Sequence, residues 1–522
     1  MKLFRERRAS VIKVESTLAL LSALAMVRKV EMRNITKSFA GVLALDHVDF
    51  SVEAGEIHGL LGENGAGKTT LMNILSGLYR SDEGEIYIKG KKAGFRSPLD
   101  AINLGVGMVH QHFMLIPVFS VAENIALGCG DSVSAVQEKV TGLSEKYGLK
   151  VDPRSKVSQL HLGERQRVEI MRALYTKVDI FIFDEPTSVL IPQEVESLFS
   201  VVKLLASEGR SVVFITHKLN EALRICDDIT VLRGGKLIGS LKPQETTAKE
   251  LVTMMVGEEF NPVQKVPHEA GEKVLEIENV TALRKDGLVA LKDVSLSIRR
   301  GEVLGIAAVG GNGQSELAEV VAGLRKCVKG KVIVNKRDLT NASPSEFRQN
   351  GVSCIPEEGR DAGLVLDFTV AENSILGKQH EEAFSRLGVI KSDEVNRYAE
   401  QLVSSYDIMT PSIDSPARVL SGGNLQKLIV GRELTRKSDL LIASYPLRGL
   451  DVRATEFIRG KLLDARMGDV AVLFISEDLD DIFDLSDTIA VIYEGKIMGV
   501  LPQAKADRNE IGLMMAGVKE GV

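Results

Sequence analysis

Gly62-Glu63-Asn64-Gly65-Ala66-Gly67-Lys68-Thr69 fits the phosphate-cradling pattern GxxxxGK[ST]. Glycines let backbone N–H groups close around phosphate oxygens, and a following helix N-terminus adds positive potential. In such a loop Lys68 reaches the β- and γ-phosphates and the Thr69 hydroxyl ligates Mg²⁺. Further on, the apolar run Ile180-Phe181-Ile182-Phe183 ends in Asp184-Glu185. An aspartate at a strand end is placed to hold Mg²⁺, and the next carboxylate to orient or deprotonate an attacking water. A second apolar run, Val212-Val213-Phe214-Ile215, ends in Thr216-His217, whose imidazole is suited to contact the γ-phosphate and position Glu185.

These groups need a scaffold of strands that end beside one another. Short apolar runs predict strands over 57–61, 179–183 and 211–215, and a helix over 70–75 follows the glycine loop. Helical spacing recurs over 168–175 and 194–205. Strands alternating with helices define an α/β domain around a mixed, largely parallel sheet.

The pattern occurs twice. Glu250-Leu-Val-Thr-Met-Met-Val-Gly257 returns as Glu510-Ile-Gly-Leu-Met-Met-Ala-Gly517, 260 residues on, and Ala44-Leu45-Asp46 returns as Ala290-Leu291-Lys292, 246 residues on. The chain is therefore a tandem duplication, its second copy longer by 14 residues, expected over 377–392. The predicted organisation is an N-terminal extension over 1–29, a first domain over 30–257, a linker over 258–273 containing Pro262 and Pro267, and a second domain over 274–522.

Apolar residues make up 44% and charged residues 26%, which excludes disorder as the main state. A net charge of −6 gives no basic field for nucleic acid. Cys129, Cys226, Cys327 and Cys354 have neither zinc-ligand nor disulfide-framework spacing, as in a reduced, cytoplasmic protein. No run reaches the roughly 18–20 apolar residues of a membrane span. Residues 17–27, behind a basic head, have the look of a signal peptide. A short amphipathic extension or an early-read start suits the chemistry better, because that chemistry uses a cytoplasmic nucleotide.

Taken in order, the motifs resemble the ATP-binding subunits of ABC transporters, from about residue 30 to the end. Besides the loop, Asp184-Glu185 and His217, the resemblance includes Gln111 after Met108-Val-His, and Phe39, matching the aromatic that stacks on adenine. It implies two tandem P-loop NTPase domains, each with a helical signature subdomain. In that family two such domains pair head to tail, each ATP lying between one domain's phosphate motifs and the other's LSGGQ signature. The implied ATP contacts are Phe39, Gly62, Glu63, Asn64, Gly65, Ala66, Gly67, Lys68, Thr69, Thr70 and Gln111. Thr69, Gln111 and Asp184 are the implied Mg²⁺ ligands, with Glu185 and His217 catalytic.

The second copy lacks these groups: Lys68 becomes Gln314, Gln111 becomes Glu357, Asp184-Glu185 becomes Ser444-Tyr445, and His217 becomes Glu477. No aromatic occurs over 275–291. Its signature, Leu420-Ser421-Gly422-Gly423-Asn424, is intact, whereas the first copy has Leu160-His161-Leu162-Gly163-Glu164. Likewise Gly449-Leu450-Asp451 is kept where the first copy has Val189-Leu190-Ile191. The resemblance thus implies one composite hydrolytic site, completed by Ser421, Gly422, Gly423, Asn424 and Asp451, and one degenerate site.

Two fused ATP-binding domains without spans resemble the simple-sugar and nucleoside branch of bacterial ABC importers. The resemblance implies two integral-membrane permease subunits, an extracytoplasmic solute-binding protein as indirect partner, no nucleic acid, and a place on the cytoplasmic face of the cell membrane. Gly311 to Leu317 and Ser476 to Asp480 look nucleoside-type. A ribose/galactose-type importer is the alternative, with a soluble tandem ABC protein or an exporter subunit further removed.

Overall fold

The computed structural model describes residues 28–39, 41–110, 113–127, 129–188, 190–257 and 263–518. Gln111, Val189, the apolar stretch 17–27 and residues 258–262 of the expected linker lie outside the described residues. The chain divides into two compact units, with the main division at residues 260–261.

In the first unit β1 (Arg28–Phe39) and β2 (Val42–Glu53) precede β3 (Ile57–Gly62), whose every residue is buried. β4 (Glu83–Ile88) and β5 (Lys91–Ala93) join the first two in an antiparallel sheet of order β2-β1-β4-β5. β6 (Val106–Val109), β7 (Ile180–Asp184), β8 (Ser211–Ile215), β9 (Asp228–Arg233) and β10 (Lys236–Leu241) complete a second sheet of order β10-β9-β3-β8-β7-β6. All its pairings are parallel except that of β10 with β9.

The near-continuous apolar runs of β7 and β8 follow from a sheet covered on both faces. Ile180, Ile182, Val213 and Ile215 join one core with Leu71, Met72 and Leu75 of the helix Lys68–Leu75 and with Val30, Phe50 and Val52 of the antiparallel sheet. Phe214 points to the other face, where its ring meets Phe199 of the helix Pro192–Ser207 edge-on at 6.0 Å.

The second unit repeats the plan. β11 (Lys273–Leu283), β12 (Val289–Arg299), β14 (Cys327–Val334) and β15 (Arg337–Asp338) form the antiparallel sheet, order β12-β11-β14-β15. β13 (Val303–Ala307), β16 (Val352–Ile355), β19 (Leu440–Ser444), β20 (Ala471–Ser476), β21 (Thr488–Tyr493) and β22 (Lys496–Pro502) form the other, order β16-β19-β20-β13-β21-β22. One hairpin, β17 (Ser385–Arg386) with β18 (Val389–Ile390), has no counterpart among the described residues of the first unit and falls within the stretch expected to hold the 14-residue insertion.

Elements extend beyond their apolar runs. The signature helices begin at Leu162 and Gly422 rather than further on, and span Leu162–Tyr175 and Gly422–Leu434. First-turn N–H groups have no intrahelical partner, so polar residues and glycine are tolerated there and dilute the apolar pattern. β7 takes in Asp184 because that residue still pairs with Ile215 in the ladder.

Candidate active site

Parallel pairing decides where the site lies. Leu60 of β3 and Asp184 of β7 both pair with Ile215 of β8, so the three strands finish at one sheet edge. That edge carries the glycine loop, Asp184-Glu185 and Thr216-His217, as expected for a ligand site at the carboxyl ends of parallel strands.

The glycine loop turns into its helix at Gly67, whose φ is 101°. A β-carbon there would meet the Ala44 carbonyl at 2.8 Å and the Leu45 side chain at 2.7 Å, so the turn requires glycine. Lys68 is buried, and its Nζ donates to the carbonyls of Gly62 at 2.7 Å and Glu63 at 3.0 Å. Burial pushes the ammonium's pKa down, opposed by the charges of Glu185, Asp184 and Glu63. Thr69 and Thr70 follow in the first turn, and Asn64, Gly65 and Ala66 shape the loop, with the Ala66 amide donating to Glu63 O.

Asp184 is buried at the end of β7. Glu185 then adopts φ 47°, its amide donating to Ile215 O at 3.0 Å. This turn brings Glu185 Oε1 to 3.1 Å from Nδ1 of His217. Burial raises the Glu185 carboxyl, but the His217 hydrogen bond and the charges of His217, Lys68 and Lys218 outweigh it and hold the pKa below the ordinary glutamate value. The imidazole is 46% exposed, so it stands at the mouth of the site.

Phe39 at the end of β1 is 41% exposed and meets Tyr79 edge-on at 5.3 Å. The contact of Tyr79 with Phe39 was not legible in the sequence. The placement of Tyr79 depends on the turn after the helix Lys68–Leu75, where its amide donates to Asn73 O.

In the second unit the same backbone carries different chemistry. Gly313 keeps the loop turn at φ 108°, but Gln314 Nε2 donates to Val309 O at 3.1 Å and to the Tyr445 hydroxyl at 2.9 Å. Tyr445 keeps the φ of Glu185, at 48°, and burial drives its phenol pKa upward. Ser315 Oγ donates to Glu357, and Arg448 lies 3.6 Å from Glu357 and 3.4 Å from Glu477. Arg284, not an aromatic, donates to Gly311 O. A cavity of about 340 Å³ opens beside this network, lined among others by Glu357, Tyr445, Arg448 and Gly422.

The two signatures differ just as sharply. In the first unit Glu164 Oε2 accepts from His161 N at 2.9 Å, so a carboxylate closes its own helix N-terminus. In the second, Ser421 caps the helix Gly422–Leu434 with no side-chain cap bond to its amides, and a β-carbon at Gly422 would have nothing within 4 Å. Asn424 bridges Ser421 Oγ, at 2.9 Å, and Met409 N, also at 2.9 Å. Asp451 Oδ1 accepts from Ala454 N at 2.7 Å, capping the helix Val452–Met467, and a β-carbon on Gly423 would come to 4.0 Å from its other oxygen.

A glycine loop opening a helix, with an Asp-Glu pair and a histidine at neighbouring strand ends, defines a P-loop nucleoside-triphosphatase, here with its plan present twice. The ABC transporter family model matches residues 45–188 and 291–447. The chain is 46% identical to the guanosine import ATP-binding protein NupO of Bacillus subtilis, over 94% of this chain and 97% of that one. It is also 46% identical to the glucose import ATP-binding protein TsgD13 of Haloferax volcanii, over 93% and 95%. The nucleoside import ATP-binding protein NupA of Lactococcus lactis is 42% identical, over 94% and 98%. The chain belongs to the ABC transporter family, as a tandem ATP-binding ATPase subunit.

Proposed function

We propose that this chain hydrolyses ATP at one composite site and so powers import of a nucleoside through separate membrane subunits. The observation that carries the reading is the division of intact groups. The first unit holds Lys68, Asp184, Glu185 and His217, and the second holds the open signature Ser421-Gly422-Gly423-Asn424. In this reading Phe39 stacks on the base, residues 62–70 and Gln111 cradle the phosphates, and Ser421 to Asn424 with Asp451 close the site from the other unit. The second unit's own loop stays catalytically silent, because Gln314 and Tyr445 supply neither the cation nor the base that phosphoryl transfer needs.

The donor set suits Mg²⁺. Among the described residues no group of three or more His, Cys, Asp or Glu could hold a metal ion. Mg²⁺ ordinarily takes one or two carboxylates and completes its shell from phosphates and water, which Thr69, Asp184 and Gln111 would allow. When bound it offsets charge on the transferring phosphoryl group. Glu185 takes the proton of the attacking water as its oxygen bonds the γ-phosphorus and the bond to the β-bridging oxygen breaks. His217 holds that carboxylate ionised and in place. Lys68 offsets the charge that gathers on the leaving phosphates.

Among the described residues no helix is long and apolar enough to cross a membrane, and the chain acts, in this proposal, on the cytoplasmic face of two permease subunits fed by a solute-binding protein. The exposed apolar side chains Met114, Ile116 and Val118 suit the permease contact. Nucleoside import is favoured by the relatives named for guanosine and nucleoside; the equally similar glucose relative keeps a simple sugar as the second reading. Uptake of labelled nucleosides, ribose and glucose by cells carrying Glu185→Gln decides between them. Loss of nucleoside uptake alone is expected. Loss of sugar uptake alone would move the solute to the second reading, and no change in any uptake would overturn the importer role.

A further inference from the structure

We propose that Glu221 is a positioning residue for hydrolysis, its carboxylate tying the segment after Glu185 to the segment before His217. The proposal rests on the reading of Glu185 and His217 as the hydrolytic pair.

Thr187 Oγ1 donates to Glu221 Oε2 at 2.7 Å, and Thr216 Oγ1 donates to the same oxygen at 3.4 Å. Both threonines are buried, at 2% and 1% exposure. Thr216 Oγ1 also accepts from the Lys218 amide at 3.0 Å, and Lys218 Nζ lies 3.9 Å from Glu221 Oε1. One carboxylate in the helix Leu219–Ile225 therefore holds the residue two past the base and the residues on either side of the imidazole. The catalytic contact itself, Glu185 to His217, spans two strand ends and has only 3.1 Å of side-chain reach to define it. Buried hydrogen bonds outside the reacting groups are what fix such a distance.

The duplication supplies an internal control. Positions 260 residues on are Leu447 for Thr187, Ser476 for Thr216 and Asp481 for Glu221. Leu447 is buried and has no hydroxyl. Asp481 stays near Ser476, at 3.3 Å, but is held by Arg459 at 2.5 Å. Arg459 stands where the first unit has Phe199. The second unit thus keeps the arm from Ser476 to Asp481 but lacks the arm from Thr187, in the unit that has lost the base and the imidazole. The Thr187 arm, which alone of the two joins the segment after the base to the segment around the imidazole, therefore accompanies the chemistry rather than the fold.

The test compares steady-state ATP turnover, KM for ATP and thermal midpoint in the full chain carrying Glu221→Ala, Glu221→Gln, Thr187→Val or Thr187→Val with Glu221→Ala. Glu185→Gln serves as a separate control. Glu221→Ala is expected to lower kcat about ten- to a hundredfold, with KM within about threefold of the parent. Glu221→Gln, which keeps an acceptor for Thr187, is expected to retain kcat within about threefold, and the double variant to lose no more than Glu221→Ala. An unchanged kcat in both Glu221→Ala and Thr187→Val would overturn the proposal. So would equal losses in Glu221→Ala and Glu221→Gln that follow a fall in thermal midpoint. Should Glu221→Ala fail to fold, Thr187→Val carries the same expectation. If Glu185→Gln turns over normally, the assignment of the base falls, whatever the Glu221 variants do.

Discussion

Glu185 is held by two opposing influences, burial that favours its neutral form and the His217 hydrogen bond, with the nearby charges, that favours the carboxylate. The second prevails, so its pKa lies below the ordinary value. A carboxyl depressed in the folded state is ionised at neutral pH and becomes protonated only as pH falls through that lowered value, where both its basicity and its share of stability are lost. Removing the imidazole in His217→Ala leaves burial less opposed and raises the carboxyl. The acid limb of the kcat–pH profile is therefore expected to move to higher pH in that variant, on top of an overall loss of about a hundredfold. A limb that stays put would mean that His217 does not tune the base. The types of these residues were legible in the sequence; their geometry was not. The φ near 47° at Glu185 recurs at Tyr445, which has no carboxylate, so the strained turn belongs to the strand-to-loop geometry of the fold rather than to catalysis.

At the scale of elements, strand ends and helix starts do the positioning. The alternation of buried runs made β3, β7 and β8 readable, because strands covered on both faces carry little but apolar residues. Helix starts were harder to read. Gly422 and Leu162 open helices without apolar periodicity, and the third helical residue sets the charge at each N-terminus: Glu164 folds a carboxylate onto His161 N, whereas Asn424 folds a neutral amide onto Ser421 Oγ. That difference makes Gly423 a sensitive position. A β-carbon there meets Ala454 at an ordinary 3.6 Å, so Gly423→Asp should fold. In the proposed reading its carboxylate would oppose phosphate at the helix end. Turnover is expected to fall about a hundredfold, although the substitution lies in the unit without the base. Turnover and nucleotide affinity both at parental levels would remove the second unit's signature from the site.

At the scale of the whole molecule, both units share the architecture and, in the proposed reading, divide the chemistry. Both units repeat the same strand orders and the same glycine turns at 67 and 313, which explains why offsets of 246 and 260 sufficed to pair positions. What the offsets could not reveal is how the replacing residues contact one another. Gln314 bonded to Tyr445, and Arg448 between Glu357 and Glu477, are tertiary contacts made by residues up to 131 positions apart in the chain. They occupy the second loop with the protein's own polar groups. The account's central claim is that one site hydrolyses ATP, and steady-state ATPase measurement of Glu185→Gln beside Tyr445→Phe tests it most directly. Glu185→Gln is expected to lose turnover by about a thousandfold or more, and Tyr445→Phe to stay within about twofold of the parent. Substantial turnover in Glu185→Gln, or its collapse in Tyr445→Phe with the fold intact, would contradict the one-site account.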